Sequence, residues 1–175
     1  GLLAAQSPAL EVDPRVPGVR APAALALDVE GISTAAFDAL YQAASGDEDA
    51  TVRYHSLMAL HRNRAIAPET ERELVARVLE RESDASTIVV ACQIAAFEGY
   101  EDLTEKVNAA RGRLSGNDEF QAALSLAELS RLGVDIPLDA KSAVTGRLIE
   151  KLDDEETLAA AARALADLGI AAAER

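Results

Sequence analysis

Two histidines, a single cysteine, two runs of carboxylates and a string of arginines are the groups through which this chain of 175 residues could do chemistry. His55 and His61 stand six residues apart on what reads as one helix. That separation is about 600° around the axis, so the two point to different faces and cannot share a metal ion. Helical zinc ligands are spaced i, i+4 instead. Beside Arg53 and Tyr54, His55 has the surroundings to hold an anion, but a contact at the surface or between neighbouring repeats is the commoner use of such a residue. Cys92 lies in STIVVACQIAAFEG, where Gln93 alone is strongly polar between Ile88 and Phe97. Burial there raises a thiol pKa and leaves it inert. A nucleophilic thiol needs an accessible, electropositive place and a partner, and neither histidine has an evident reason to serve.

The runs Asp47–Glu48–Asp49 and Asp153–Asp154–Glu155–Glu156 invite calcium, whose loops take oxygen ligands at alternating positions around a glycine bend. Both lead straight into helices, so capping and the helix dipole explain them better. Arg53, Arg62, Arg64, Arg72, Arg77 and Arg81 make a locally basic stretch. Interleaved glutamates make a solvated face the default, although a sulfated or phosphorylated partner could exploit it. No glycine-rich phosphate loop and no Ser–His–Asp arrangement is recognisable. The residues predict no catalytic group, no cofactor and no metal site, and leave Arg53, His55, Arg62 and Arg64 as the candidate interaction surface.

Nearly half of the chain, 49%, is hydrophobic, yet only 3% is aromatic and Trp is absent. Alanine and leucine supply the apolar content, and alanine's high helix propensity favours close-packed helices over a sheet. The net charge of −13 opposes binding to phosphate backbones and to anionic membrane surfaces. No run of about 18 apolar residues, the length that crosses a bilayer, occurs. A lone cysteine excludes an internal disulfide and leaves the redox compartment open. The opening GLLAAQSPAL lacks the basic region of a signal peptide, and a start at Gly1 rather than Met suggests a piece of something longer. The expected partner is a protein or a parent catalytic domain, not nucleic acid and not a membrane.

What must position these groups is a repeat. The acids Asp49, Asp84, Asp118 and Asp154 follow one another at steps of 35, 34 and 36 residues, and fifteen positions after each comes a stop: Arg64, Gly99, Gly133 and Gly169. Ser56, Ala91, Ser125 and Ala161 share one position of this frame, and Leu60, Ala95, Leu129 and Leu165 share another. A period of this length means stacked supersecondary units, none of which can bury its apolar face alone. Residues 1–31, with Pro8, Pro14, Pro17 and Pro22, read as a proline-rich arm or linker in which a short helix after Pro22 is allowed. Residues 32–175 read as one helical repeat domain.

Within it the apolar spacing predicts eight helices in four antiparallel pairs. The first, capped by Ser33, presents Phe37, Leu40, Tyr41 and Ala44. The second, after Asp49, turns Val52, Ser56, Ala59 and Leu60 inward. Pro68 opens the third, with Leu74, Val75, Val78 and Leu79 inward and its charged residues, Glu71 among them, outside. The fourth is apolar all round and needs neighbours on most sides. The fifth, about 101–114, carries Leu103, Val107, Ala110 and Leu114. The sixth, capped by Asn117 or Asp118, carries Phe120, Ala123, Leu124, Ala127 and Leu129. The seventh starts at Pro137 with Leu138, Val144, Leu148 and Leu152 inward, and Gly146 costs it about 1 kcal/mol unless a close crossing needs it. Asp153 and Asp154 begin the eighth, with Leu158, Ala161, Leu165 and Leu168 inward.

The stretch DATVRYHSLMAL resembles a HEAT repeat of the variety first noted in phycobilisome lyases, with Asp49, Val52, Arg53, Ser56, Ala59 and Leu60 in the matching places. The resemblance implies an all-α fold, a right-handed α–α superhelix (HEAT/ARM-like solenoid) of about four helix pairs. It further implies that the acid caps the inner helix of each pair and that the Arg bonds it to the neighbouring repeat. The acid recurs in every copy, but Ile88, Ala122 and Leu158 stand where the Arg should be. Stability is thereby expected to rest on apolar packing. The run VRYHSLMALHR, the charged helix after it and DASTIVVACQIAAFEGY resemble the helical tail that follows the catalytic domain of certain bacterial sulfatases. That likeness implies a non-catalytic accessory domain of a periplasmic or secreted enzyme. The sulfatase nucleophile motif, Cys/Ser-x-Pro-x-Arg, has no match, since Gln93, Ile94, Ala95 and Ala96 follow Cys92. The alternative is a stand-alone HEAT-like enzyme, a chromophore lyase or a base-excision DNA glycosylase. A glycosylase should show a basic face with stacking aromatics, which the charge and the missing Trp oppose.

Overall fold

The computed structural model describes residues 34–64 and 66–169. The expected proline-rich arm, the Ser33 cap and the tail beyond Gly169 lie outside them. Among the described residues the chain is all-helical, without a strand. Its helices are α1 (Thr34–Gly46), α2 (Ala50–Asn63), α3 (Pro68–Arg81), α4 (Ala85–Phe97), α5 (Thr104–Arg111), α6 (Gly116–Arg131), α7 (Leu138–Glu150) and α8 (Leu158–Asp167). A short 3₁₀ turn at Glu101–Leu103 runs directly into α5, and another at Lys151–Asp153 continues the end of α7.

The frame acids do different work in different copies. Asp49 accepts a hydrogen bond from the Thr51 N–H at 2.8 Å, and Asp84 accepts from the Thr87 N–H at 2.9 Å and the Thr87 hydroxyl at 2.7 Å. Each satisfies an N–H that the helix leaves free, a contribution of about 1 kcal/mol. Asp118 departs from the expectation. Gly116 begins α6 two residues earlier, so Asp118 lies inside the first turn, where its charge meets the helix dipole without capping. Asp154 holds the Glu156 N–H at 3.1 Å, and α8 starts only at Leu158, whose N–H reaches the Asp154 carbonyl at 2.8 Å.

The four stops, by contrast, share one conformation. Gly99, Gly133 and Gly169 have φ of 68°, 93° and 69°, and Arg64, without a glycine's freedom, is held at φ 46°. A left-handed residue ends a helix by turning its N–H back onto the last carbonyls, as Arg64 does to His61 at 3.2 Å.

The helices pack in two series. The even-numbered ones touch in the order α2–α4–α6–α8, and α1–α3–α5 touch in parallel, with α1 on α2, α3 on α4, α5 on α6 and α7 on α8. The frame positions meet at the centre of this arrangement: Ser56, Ala91, Ser125, Ala161, Leu60, Ala95, Leu129 and Leu165 are all buried. Small residues there let helices approach closely. α4, flanked on both sides, buries nine of its thirteen residues, which is why it can be apolar all round.

Among the expected inward residues Phe37, Tyr41, Leu114, Leu124 and Leu152 are only partly buried against the core, and Leu138, Leu158 and Glu71 depart from the expectation. Leu138 is 82% exposed, because it lies about 120° around α7 from the centre of the buried Ala140–Val144–Leu148 row. Leu158 is 45% exposed, since α8 starts four residues later than expected and leaves it at the helix end. Leu124 is half-buried at the edge of the α6 stripe, whose centre is Leu126. Glu71 is buried rather than solvated. Gly146 serves no close crossing: a Cβ there would meet nothing within 4 Å among the described residues.

Arginines tie the repeats together, but mostly from unexpected places. Arg53 forms a two-pronged pair with Glu82 at 2.6 and 2.7 Å and donates to the Asp47 carbonyl at 2.7 Å. Arg113 donates to the Leu79 carbonyl at 2.6 Å, covering the C-terminal end of α3. Glu119 receives Arg111 at 3.0 Å and Arg147 at 3.4 Å. The bridges missing at the Arg53 frame position are therefore supplied from α7 and the turn after α5, while Arg111 ties α5 to α6 within one pair.

Candidate functional site

Two features stand out, and Phe97 belongs to both. The first is a groove of about 550 Å³ across the exposed side of α4, α6 and α8. Ala96, Ser125, Ala160 and Ala164 line it; with no long side chains at these positions, the surface between the helices stays hollow. Phe97 and Leu124 form its apolar edge, and Phe97 is 66% exposed, an unusual state for so large an apolar ring. Glu128, Arg163 and Asp167 supply the polar rim.

The second is a cluster where α2, α3 and α4 meet. His61 comes from the last turn of α2, Glu71 from the first turn of α3, and Glu98 from the residue that closes α4. His61 Nδ1 lies 3.0 Å from Glu71 Oε1 and 3.8 Å from Glu98 Oε1. The Tyr100 hydroxyl donates to the other Glu71 oxygen at 2.8 Å. Burial and that bond to Glu71 push the Tyr100 hydroxyl well above the usual tyrosine range. Phe97 sets its ring edge-to-face against His61, with centroids 5.6 Å apart.

The residues singled out by sequence do not assemble into one patch. Arg53 is committed to Glu82 and to backbone carbonyls. Burial works to raise the Glu82 pKa, yet the Arg53 guanidinium and the Asp84 and Ser83 N–H groups outweigh it and hold the carboxyl below its usual range. His55 packs edge-on to Tyr54, with ring centroids at 5.0 Å. Arg62 and Arg64 are exposed at the far end of α2; nine residues, about 180° of helix, separate Arg62 from Arg53. Arg77 lies over the Tyr41 ring at 6.0 Å, and Arg72 pairs with Asp102 at 3.4 Å. Cys92 is fully buried, and that burial pushes its thiol up to about 12, which keeps it protonated and unreactive.

Glu71 and Glu98 did not figure among the sequence candidates. A signal for Glu71 existed: it stands three and four residues before Leu74 and Val75, and so continues the buried stripe of α3. Glu98 and Tyr100 had none beyond their place beside the Gly99 stop. Comparison with protein-family models, with curated proteins and with solved structures finds no match to this chain. No helix among the described residues is long and apolar enough to cross a membrane.

Proposed function

We propose that the chain is a non-catalytic HEAT-type module, its pairs stacked as a right-handed α–α superhelix, that presents the α4–α6–α8 groove to an amphipathic helix of a protein partner. The two contact series of even and odd helices support the stacked arrangement. The groove is the observation that carries the function: Phe97 stands exposed and Leu124 half-buried over a floor of small side chains. An apolar groove between helices suits an amphipathic helix laid along it. Asp167 on the rim and the net charge of −13 favour a helix flanked by Lys and Arg. The resemblance to sulfatase tails supports a parent hydrolase domain as the source of that helix, with this chain as its accessory domain.

Display selection of helical peptides against the whole chain tests the groove. Peptides with apolar residues at i, i+3, i+4 and i+7 and basic flanks are expected. Phe97→Asp should abolish their binding while the melting temperature stays within a few degrees, and Leu124→Ala, which trims a half-buried side chain, should weaken it. Peptides that bind these variants as well as wild type, or binding of duplex DNA at low salt, would overturn the reading. For the parent enzyme the decisive observation is the coding sequence upstream: a sulfatase domain in frame supports it, and any other domain removes it.

A further inference from the structure

We propose that His61, Glu71 and Glu98 form a site for one divalent transition-metal ion of the zinc class. The donor atoms lie within 4.8 Å of one another. Zinc bonds of about 2.0–2.2 Å to imidazole and carboxylate set ligand-to-ligand edges of about 3.4 Å in a tetrahedron. The two separations from His61 Nδ1, 3.0 and 3.8 Å, bracket that edge, and the third, between the two carboxylates, lies within 4.8 Å. The donor set suits the charge as well. A neutral imidazole and two carboxylates sum to −2, which a divalent ion cancels. An imidazolium would offset only one of the glutamates, although Glu71 is buried and Glu98 no more than half-exposed.

The surroundings hold the ligands as metal sites require. The Tyr100 hydroxyl occupies Glu71 Oε2 and leaves Oε1 turned toward His61. The Phe97 edge fixes the plane of the His61 ring. The ligands come from three helices in two successive repeats, so the ion would clamp α2, α3 and α4 together. With three protein ligands, the fourth position is left to water. One imidazole among carboxylates favours Zn²⁺ over Ca²⁺ and Mg²⁺, which take oxygen ligands alone.

Calorimetric titration of the metal-free chain with ZnCl₂, and separately with CaCl₂, tests the proposal. One Zn²⁺ per chain is expected, with a melting temperature raised by roughly 5–10 °C at a hundredfold excess over Kd. Glu98→Gln should weaken binding at least tenfold while the metal-free melting temperature stays within a few degrees. His61→Ala should weaken it as much and, by stripping buried Glu71 of its ring partner, also lower the metal-free melting temperature. His55→Ala, which alters the other histidine, should bind as wild type does. Absence of saturable Zn²⁺ binding, equal loss in His55→Ala, or unchanged affinity in both His61→Ala and Glu98→Gln would each overturn the assignment.

Discussion

Arg64 is the one frame stop without a glycine, and replacing it gives a clean test of how the repeat is terminated. Its φ of 46° and ψ of 27° place it in the left-handed region. There an L side chain crowds the following carbonyl at a cost of about 1–2 kcal/mol. Arg64→Gly relieves that cost but frees the unfolded chain, which returns about 0.5–1 kcal/mol of it. A net gain of roughly 0.5–1 kcal/mol remains. Gly133→Ala runs the other way, with a loss of similar size, because φ 93° strains any side chain although a Cβ would meet nothing within 4 Å among the described residues. Gly146→Ala is the control. The chemical change is the same, the space around it is also open, but its backbone is ordinary helix, so stability should rise by up to about 1 kcal/mol. Urea unfolding followed by circular dichroism reads all three. With a slope of about 2 kcal/mol per M, the midpoints should move by about 0.25–0.5 M, up for Arg64→Gly and Gly146→Ala and down for Gly133→Ala. A Gly133→Ala midpoint equal to or above wild type, or a destabilised Arg64→Gly, would show that the stops do not work through backbone conformation.

Two further outcomes follow from side chains between the helices. Ser56 Oγ is buried without a hydrogen-bond partner among the described residues, whereas its frame mate Ser125 bonds the Gln121 carbonyl at 3.3 Å. Ser56→Ala should therefore stabilise by about 1 kcal/mol in the same unfolding assay, while Ser125→Ala changes little. Arg53→Met leaves the Glu82 carboxylate, 5% exposed, with only its two backbone donors, and should cost about 2–3 kcal/mol at neutral pH. Because the Glu82 pKa is lowered in the folded chain, the stability it adds is complete above the unfolded carboxylate range near about pH 4.3 and is lost as pH falls through the folded value. The gap between wild type and Arg53→Met should narrow below about pH 4, and a gap constant from pH 7 to pH 3.5 would contradict the pairing.

The sequence by itself determined the beat of the structure. Acid, buried small residue, buried leucine or alanine and left-handed stop recur at fixed offsets because helix period, capping and glycine's backbone freedom act over a few residues. All four stops and both buried frame positions could be read that way. It also placed Cys92 in the covered helix, since a segment with no polar face has nowhere to sit but inside. Local rules failed where a helix end or an edge decides the outcome, as at Leu138, Leu158, Leu124 and Asp118.

Only the tertiary structure decided which side chains meet. His61, Glu71 and Glu98 are separated by 10 and 27 residues, and Arg113 reaches the Leu79 carbonyl across 34. A helical period says which way a side chain points, but not how far along its axis the neighbouring helix lies. That relative shift is set by the summed packing of all the helices. It brings one imidazole and two carboxylates to a single point, and it opens the groove beneath Phe97.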